Sequence, residues 1–265
     1  MQSTYNLWLV AVSLLIATLA SYTALDLADR ISLLAYARTR QLWLAGGALA
    51  MGVGIWSMHF IGMLSFSLNI PIGYDLRITL YSLLIAIWVS WFALQIVTRK
   101  RLGVLRLFAG GVLMGLGIAS MHYVGMAAML MTPAIHYDRA LLAASIVIAI
   151  AASTAALWSA YTLRMRTAER KYVTPKRIAT ALIMGVAISG MHYTGMAAAN
   201  FPADSICGAA GGIRPEWLAA VVIPAAIVIL VVTLAVFHLD ARAKFLADSV
   251  ARLDDHVERM RGMTR

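Results

Sequence analysis

The sequence predicts an all-α integral membrane protein with seven transmembrane helices, built as three repeated helical hairpins plus a seventh helix. Two observations predict it. The 265-residue chain is 62% hydrophobic and 13% charged, and apolar stretches of the roughly 20 residues needed to cross a bilayer recur along it. A 13-residue phrase also occurs three times inside those stretches: MGVGIWSMHFIGM from Met51, MGLGIASMHYVGM from Met114 and MGVAISGMHYTGM from Met184.

The spans are expected at about 5–27, 42–66, 76–98, 107–131, 139–163, 177–201 and 216–238. The first is not read as a cleavable signal, because the first basic residue is Arg30 and a positive n-region is missing. Tyr5-Asn6, Tyr74-Asp75 and Tyr137-Asp138 open the odd-numbered spans, with Asn or Asp suited to capping a helix N-terminus. Sixteen residues after each tyrosine comes Ser-x-x-Ala-Leu, at Ser21, Ser90 and Ser153. The even-numbered spans return carrying the Met-His phrase. A repeat near 65 residues indicates triplication, so the three copies are expected to pack alike.

The net charge of +10 is distributed as topology requires. Nineteen of the 22 basic residues lie between spans one and two, three and four, five and six, or after the last; only Arg77, Arg139 and Arg214 fall opposite. The positive-inside rule then places the N-terminus outside and the C-terminus in the cytoplasm. Charge that flanks spans does not form a nucleic-acid surface, so no direct nucleic-acid binding is expected. Cys207 is the only cysteine, which excludes an internal disulfide.

Seven positions are identical in the three phrases: Met, Gly, Ile, Met-His and Gly-Met. On a helix turning ~100° per residue they occupy one arc of about 140°. His59 with Met63, His122 with Met126 and His192 with Met196 are i, i+4 pairs that can reach one object together. Small residues let membrane helices approach, which accounts for glycines such as Gly52 and Gly62 and for Ile55, Ile118 and Ile188. It does not account for histidine, which is costly within a membrane and functional when present. His122 lies sixteen residues beyond Arg106, roughly 24 Å along the helix axis, so the histidines are expected in the outer half.

Imidazole with thioether suits copper, and Cu(I) especially. Zinc ordinarily takes thiolate, imidazole or carboxylate, and thiolate is absent from these helices; calcium and magnesium want oxygen. Haem stays open, since both His and Met serve as axial ligands. Whether the histidines share one centre is not determined by spacing. The aromatics that follow them, Phe60, Tyr123 and Tyr193, read as interface residues, with the tyrosines also candidates for supporting hydrogen bonds. His136, His238 and His256 do not repeat. Asp26, where the other hairpins carry Gln95 and Trp158, is expected to be snorkelled or helix-paired.

Met-His-Tyr-x-Gly-Met at Met121–Met126 and Met191–Met196, with a Phe variant at Met58–Met63, closely resembles the bacterial MHYT domain over about residues 5–240. The resemblance implies a seven-helix sensory module of the bacterial inner membrane, often joined to cyclic-di-GMP enzymes or DNA-binding regulators. It implies copper held by Met58, His59, Met63, Met121, His122, Met126, Met191, His192 and Met196, and a diatomic gas (O2, CO or NO) as the sensed ligand. The departure at Phe60 bears on this only if every copy needs the tyrosine.

The sensor domain is assigned to 1–238 and a cytoplasmic helical tail to 239–265. Val236, Leu239, Ala243, Leu246, Val250, Leu253, Val257 and Met260 alternate spacings of three and four, an a/d heptad register. That register suits a homodimeric coiled coil, contact with a cytoplasmic signalling partner or missing effector domain, or a helix lying on the membrane. The expected function is a non-enzymatic membrane sensor. Copper transport or delivery is the alternative, disfavoured because the donors cluster at one level; a haem or copper redox protein is a third.

Overall fold

The computed structural model describes residues 4–33, 36–68, 72–99, 103–165, 173–202, 206–207 and 212–229, with scattered positions from 231 to 250. Six long helices make up the bundle: α1 (Leu7–Leu33), α2 (Ala37–Ser65), α3 (Leu76–Val97), α4 (Val104–Ala127), α5 (Arg139–Met165) and α6 (Val173–Ala198). All six are long and apolar enough to cross a membrane. The seventh stretch is described as a shorter apolar helix, α7 (Pro215–Ile229). Its expected continuation to 238 is described only at scattered helical positions. Helices α2, α4 and α6 begin several residues earlier than hydropathy predicts. Basic first turns such as Arg38 and Arg40 remain helical outside the apolar stretch, where water can solvate them.

The capping reading holds in each copy. Asp75 Oδ1 accepts from Ile78 N at 2.9 Å, Asp138 Oδ1 from Leu141 N at 2.9 Å and Asn6 Oδ1 from Trp8 N at 3.0 Å. Each hairpin is closed at this tyrosine end by an equivalent backbone bond. Asn6 N donates to Ser65 O, Asp75 N to Ala128 O and Asp138 N to Ala198 O, at 2.7–2.8 Å. Short antiparallel strands, unpredicted, lie beside these bonds: β1 (Thr4–Tyr5) pairs with β2 (Phe66–Ser67), β3 (Met131–Thr132) with β6 (Ile206–Cys207), and β4 (His136–Tyr137) with β5 (Ala199–Asn200). Tyr74, equivalent to Tyr5 and Tyr137, bridges Met129 and Ile213 instead.

Each helix packs on its chain neighbours, and α6 returns to α1 to close a ring. The motif helices α2, α4 and α6 also meet across the middle. Large apolar side chains such as Leu84, Trp88, Leu116 and Ile183 face outwards, as a bilayer solvent allows.

The first motif glycine sets the spacing between hairpins. A Cβ at Gly52 would lie 2.6 Å from Ile87 Cα, at Gly115 2.5 Å from Ile150 Cα and at Gly185 2.9 Å from Thr18 Cα. These are contacts of α2 with α3, α4 with α5 and α6 with α1, backbone against backbone, as expected for small residues in membrane bundles. Helix α7 breaks the symmetry. Its Leu218, Val222, Ala226 and Ile229 are buried at helical spacing, while Trp217, Val221 and Val228 are exposed. Ile229 Cγ2 lies 3.7 Å from where a Cβ on Gly54 would sit. Helix α2 is accordingly 78% buried over its span, against 28–44% for the other five.

Asp26 is helix-paired, as expected, and also joins two hairpins. It accepts from Arg30 four residues on and from Arg177 Nη1 at 2.8 Å, and Arg177 also pairs with Asp29. Asp26 and Arg177 are both buried. This clasp lies on the seam where α6 meets α1, at the end opposite the tyrosines. Gln95 and Trp158 cannot form it, so among the described residues it occurs once in the ring.

Of the heptad positions in the tail, Leu239, Leu246 and Val250 are helical and exposed. Val236, Ala243, Leu253, Val257 and Met260 lie outside the described residues.

Candidate metal centre

Equal spacing of the phrase on three symmetry-related helices brings His59, His122 and His192 to one point on the bundle axis. Their Nδ1 atoms form a triangle with sides of 3.0 Å (59 to 192), 3.2 Å (59 to 122) and 3.2 Å (122 to 192). The rings stand nearly perpendicular to one another, at 82–89°. All three are buried, and they form the one cluster of three potential metal-ligating groups among the described residues. The three histidines, whose meeting the sequence left open, are therefore brought to one point.

The second motif glycine accommodates this arrangement, which corrects its reading as a helix-approach residue. A Cβ on Gly125 would stand 2.3 Å from His59 Nε2, on Gly195 2.3 Å from His122 Nε2, and on Gly62 2.3 Å from His192 Nε2. Each imidazole thus lies over the glycine of the next motif helix and turns Nδ1 to the axis. The three Nε2 atoms are buried without a hydrogen-bond partner.

Three mutually adjacent Nδ1 atoms cannot all be satisfied by one another. In a neutral imidazole each is either a donor or an acceptor, so at least one side of the triangle joins two of the same kind. A central cation removes the conflict, because three lone pairs then share one acceptor of charge. The triangle's centre lies about 1.8 Å from each nitrogen (mean side divided by √3), slightly inside the ~2.0 Å of typical metal–imidazole bonds. The donor set and spacing fit a small ion in threefold nitrogen coordination.

Met58, Met63, Met121, Met126, Met191 and Met196 are buried in the same layer of the bundle. They stand one residue before and four residues after each histidine in the chain, while the nitrogen triangle carries the geometry.

The motif aromatics serve the seams between hairpins. Tyr123 OH bonds Ser145 Oγ at 2.6 Å and Tyr193 OH bonds Ser13 Oγ at 2.8 Å. Neither reaches a histidine nitrogen. The equivalent serine in the remaining seam is Ser82. There Phe60 has no hydroxyl, and Trp56 Nε1, one turn earlier, donates to Ser82 Oγ at 3.1 Å. The departure at Phe60 is compensated within its own phrase. These serines were not singled out from sequence, although each stands eight residues after a repeated tyrosine. A double-mutant cycle checks the exchange. Trp56→Ala should destabilise, and Trp56→Ala with Phe60→Tyr should recover about 1 kcal/mol by restoring a buried hydrogen bond, measured by thermal unfolding in detergent.

At the tyrosine end, Tyr137 packs edge-on against Tyr123, with ring centroids 5.3 Å apart. Burial, and then the neighbouring Tyr123, pushes the Tyr137 hydroxyl up to about 12; Tyr5 is also raised, by burial and then Tyr193. Both remain neutral phenols at physiological pH.

A threefold ring of membrane-length helices around a buried histidine triangle defines a multi-pass helical membrane domain. A family profile described as "MHYT: Bacterial signalling protein N terminal repeat" matches residues 52–110, 115–170 and 185–250. The chain belongs to the MHYT family. It is 56% identical over 255 residues to the bifunctional diguanylate cyclase/cyclic di-GMP phosphodiesterase MucR of Pseudomonas aeruginosa, covering 94% of this chain and 37% of the relative. It is 42% identical to the cyclic di-GMP phosphodiesterase NbdA of the same species (82% of this chain, 28% of the relative). To the signaling protein YkoW of Bacillus subtilis it is 36% identical (98% and 32%). The chain thus spans about a third of the length of these relatives. No solved structure matches it.

Proposed function

We propose that this chain is the sensor module of a bacterial signalling protein, holding one copper ion through Nδ1 of His59, His122 and His192. The conflict within the nitrogen triangle carries the reading: three buried Nδ1 atoms lie within 3.2 Å of one another, and a cation at their centre would satisfy all three at once. Trigonal nitrogen coordination with thioethers nearby favours Cu(I), and Met58, Met63, Met121, Met126, Met191 and Met196 supply those thioethers. Haem is disfavoured, because the cavity one turn from the histidines, beside Ile55, Ile118 and Ile188, measures about 20 Å³.

The basic loops orient the domain in the cytoplasmic membrane with the N-terminus outside and the histidines in the outer half. Copper there would bind a diatomic gas or respond to redox state. Movement of α2 would pass to α7, which packs on it, and from there to a cytoplasmic partner. MucR and NbdA are named for cyclic di-GMP chemistry, and most of their length lies outside the matched region. Such chemistry therefore belongs to an effector coupled to this module, and the module itself is not an enzyme.

Metal analysis of protein purified without added metal tests the site. The wild type should carry about one copper per chain with nitrogen in its coordination shell by X-ray absorption, and His59→Ala/His122→Ala/His192→Ala less than about a tenth of that nitrogen-bound copper, since its imidazole donors are gone. A wild type whose copper shows no nitrogen ligand, or one whose nitrogen-bound copper is unchanged in the triple variant, would overturn the assignment.

A further inference from the structure

The first methionine of each phrase is left unused by the histidine centre. Met51, Met114 and Met184 are identical positions in three copies, and all three are buried. They stand eight residues before the histidines, about 12 Å along the helices towards the arginine end. Two small cavities meet at these side chains. One, about 20 Å³, lies on their histidine side and is also lined by Ile55, Ile118 and Ile188. The other, about 30 Å³, lies on their arginine side and is lined also by Leu25, Leu94 and Leu157. Met51, Met114 and Met184 border both, so three thioether chains form the partition between two chambers on the bundle axis.

We propose that Met51, Met114 and Met184 form a second, sulfur-only site for a soft monovalent cation, Cu(I) being the biological example. Thioether sulfur is a soft donor that selects Cu(I) over harder ions. Methionine's unbranched chain lets each sulfur swing towards the axis, and the adjoining chambers provide room for that movement. Ser153, whose buried Oγ has no hydrogen-bond partner, lines the histidine-side chamber and gives it a polar group suited to one water, for which about 20 Å³ is enough. Two soft centres would then stand on one axis. The second set would add donors at another level, about 12 Å from the histidines along the helices. The site stands on its own residues and does not require the histidine centre.

Silver binding to the full chain in detergent, with Ag(I) as the only added metal, tests this. Stoichiometry and X-ray absorption at the silver edge are the readouts. The wild type should take up two Ag(I) per chain. Met51→Leu/Met114→Leu/Met184→Leu, a nearly volume-conserving change, should take up one, with nitrogen in its coordination shell. His59→Ala/His122→Ala/His192→Ala should keep one bound by sulfur alone, and combining all six changes should remove it. The proposal is overturned if the leucine variant binds as much silver as the wild type. It is equally overturned if the six-fold variant keeps sulfur-bound silver, which would then belong to the methionines beside the histidines. Absence of a nitrogen-bound equivalent from the wild type and the leucine variant, with a sulfur-bound one that the wild type holds and the leucine variant loses, would reject the histidine centre and leave this site standing. Far-UV circular dichroism separates lost binding from lost fold; should the triple leucine variant fail to fold, the single Met114→Leu change must itself weaken silver binding, and unchanged binding would again overturn the proposal.

Discussion

Gly125→Ala is expected to disable the histidine centre while leaving the helices in place. The added methyl would stand 2.3 Å from His59 Nε2, so the ring must move. It cannot move freely, because His59 is buried and its Nδ1 is already 3.0 and 3.2 Å from its two partners. Displacing one corner opens the triangle, and copper affinity should fall by about 10- to 100-fold, the range found when groups that orient a metal ligand are disturbed. Overpacking should also cost about 1–3 kcal/mol of stability. Gly190→Ala is the matched control, next to Met191 in the same phrase, because nothing lies within 4 Å of its added Cβ. Competition titration against a Cu(I) chelator reads the first effect and thermal unfolding the second. Equal copper affinity in Gly125→Ala and the wild type would show that these glycines do not seat the rings.

The second large effect is expected at the clasp between α1 and α6. Arg177→Met leaves Asp26 buried with Arg30 alone and removes the partner that Arg177 gives Asp29. Breaking a buried ion pair from one side costs about 3–5 kcal/mol, because the remaining charge stays desolvated. Arg30 is partly exposed and still reaches Asp26, which puts the expected loss near the lower end. Adding Asp26→Leu should return part of it, since an apolar pair has no stranded charge. Chemical unfolding of the three proteins in detergent gives the comparison; an additive loss in the double variant would mean the two side chains act independently. The loss should appear at the α6–α1 seam, since among the described residues the other seams have no such clasp.

The repeat was legible because triplication wrote the same residues three times. Seven identical positions per copy, the capping Asn6, Asp75 and Asp138, and the hairpin order follow from spacing, and the bundle shows each of them. The helix ends were less legible. Hydropathy marks where lipid begins, whereas backbone hydrogen bonding runs on through Arg38 and Arg40. The short strands at the tyrosine end carry no periodic signal over two residues and arise from pairings between distant segments.

The sequence alone determined the family, the apolar helices and the chemistry of the donors, because residue type and period are local properties of a chain. Tertiary structure decided which of them meet. That His59, His122 and His192 converge through Nδ1 depends on the distance between hairpins, set by Gly52, Gly115 and Gly185 against facing backbones. That Gly62, Gly125 and Gly195 serve rings on other helices, and that Trp56 replaces the hydroxyl missing at Phe60, are likewise facts of ring closure. A helical period reports which face a residue occupies, but only the closed ring of six helices determines what stands opposite that face.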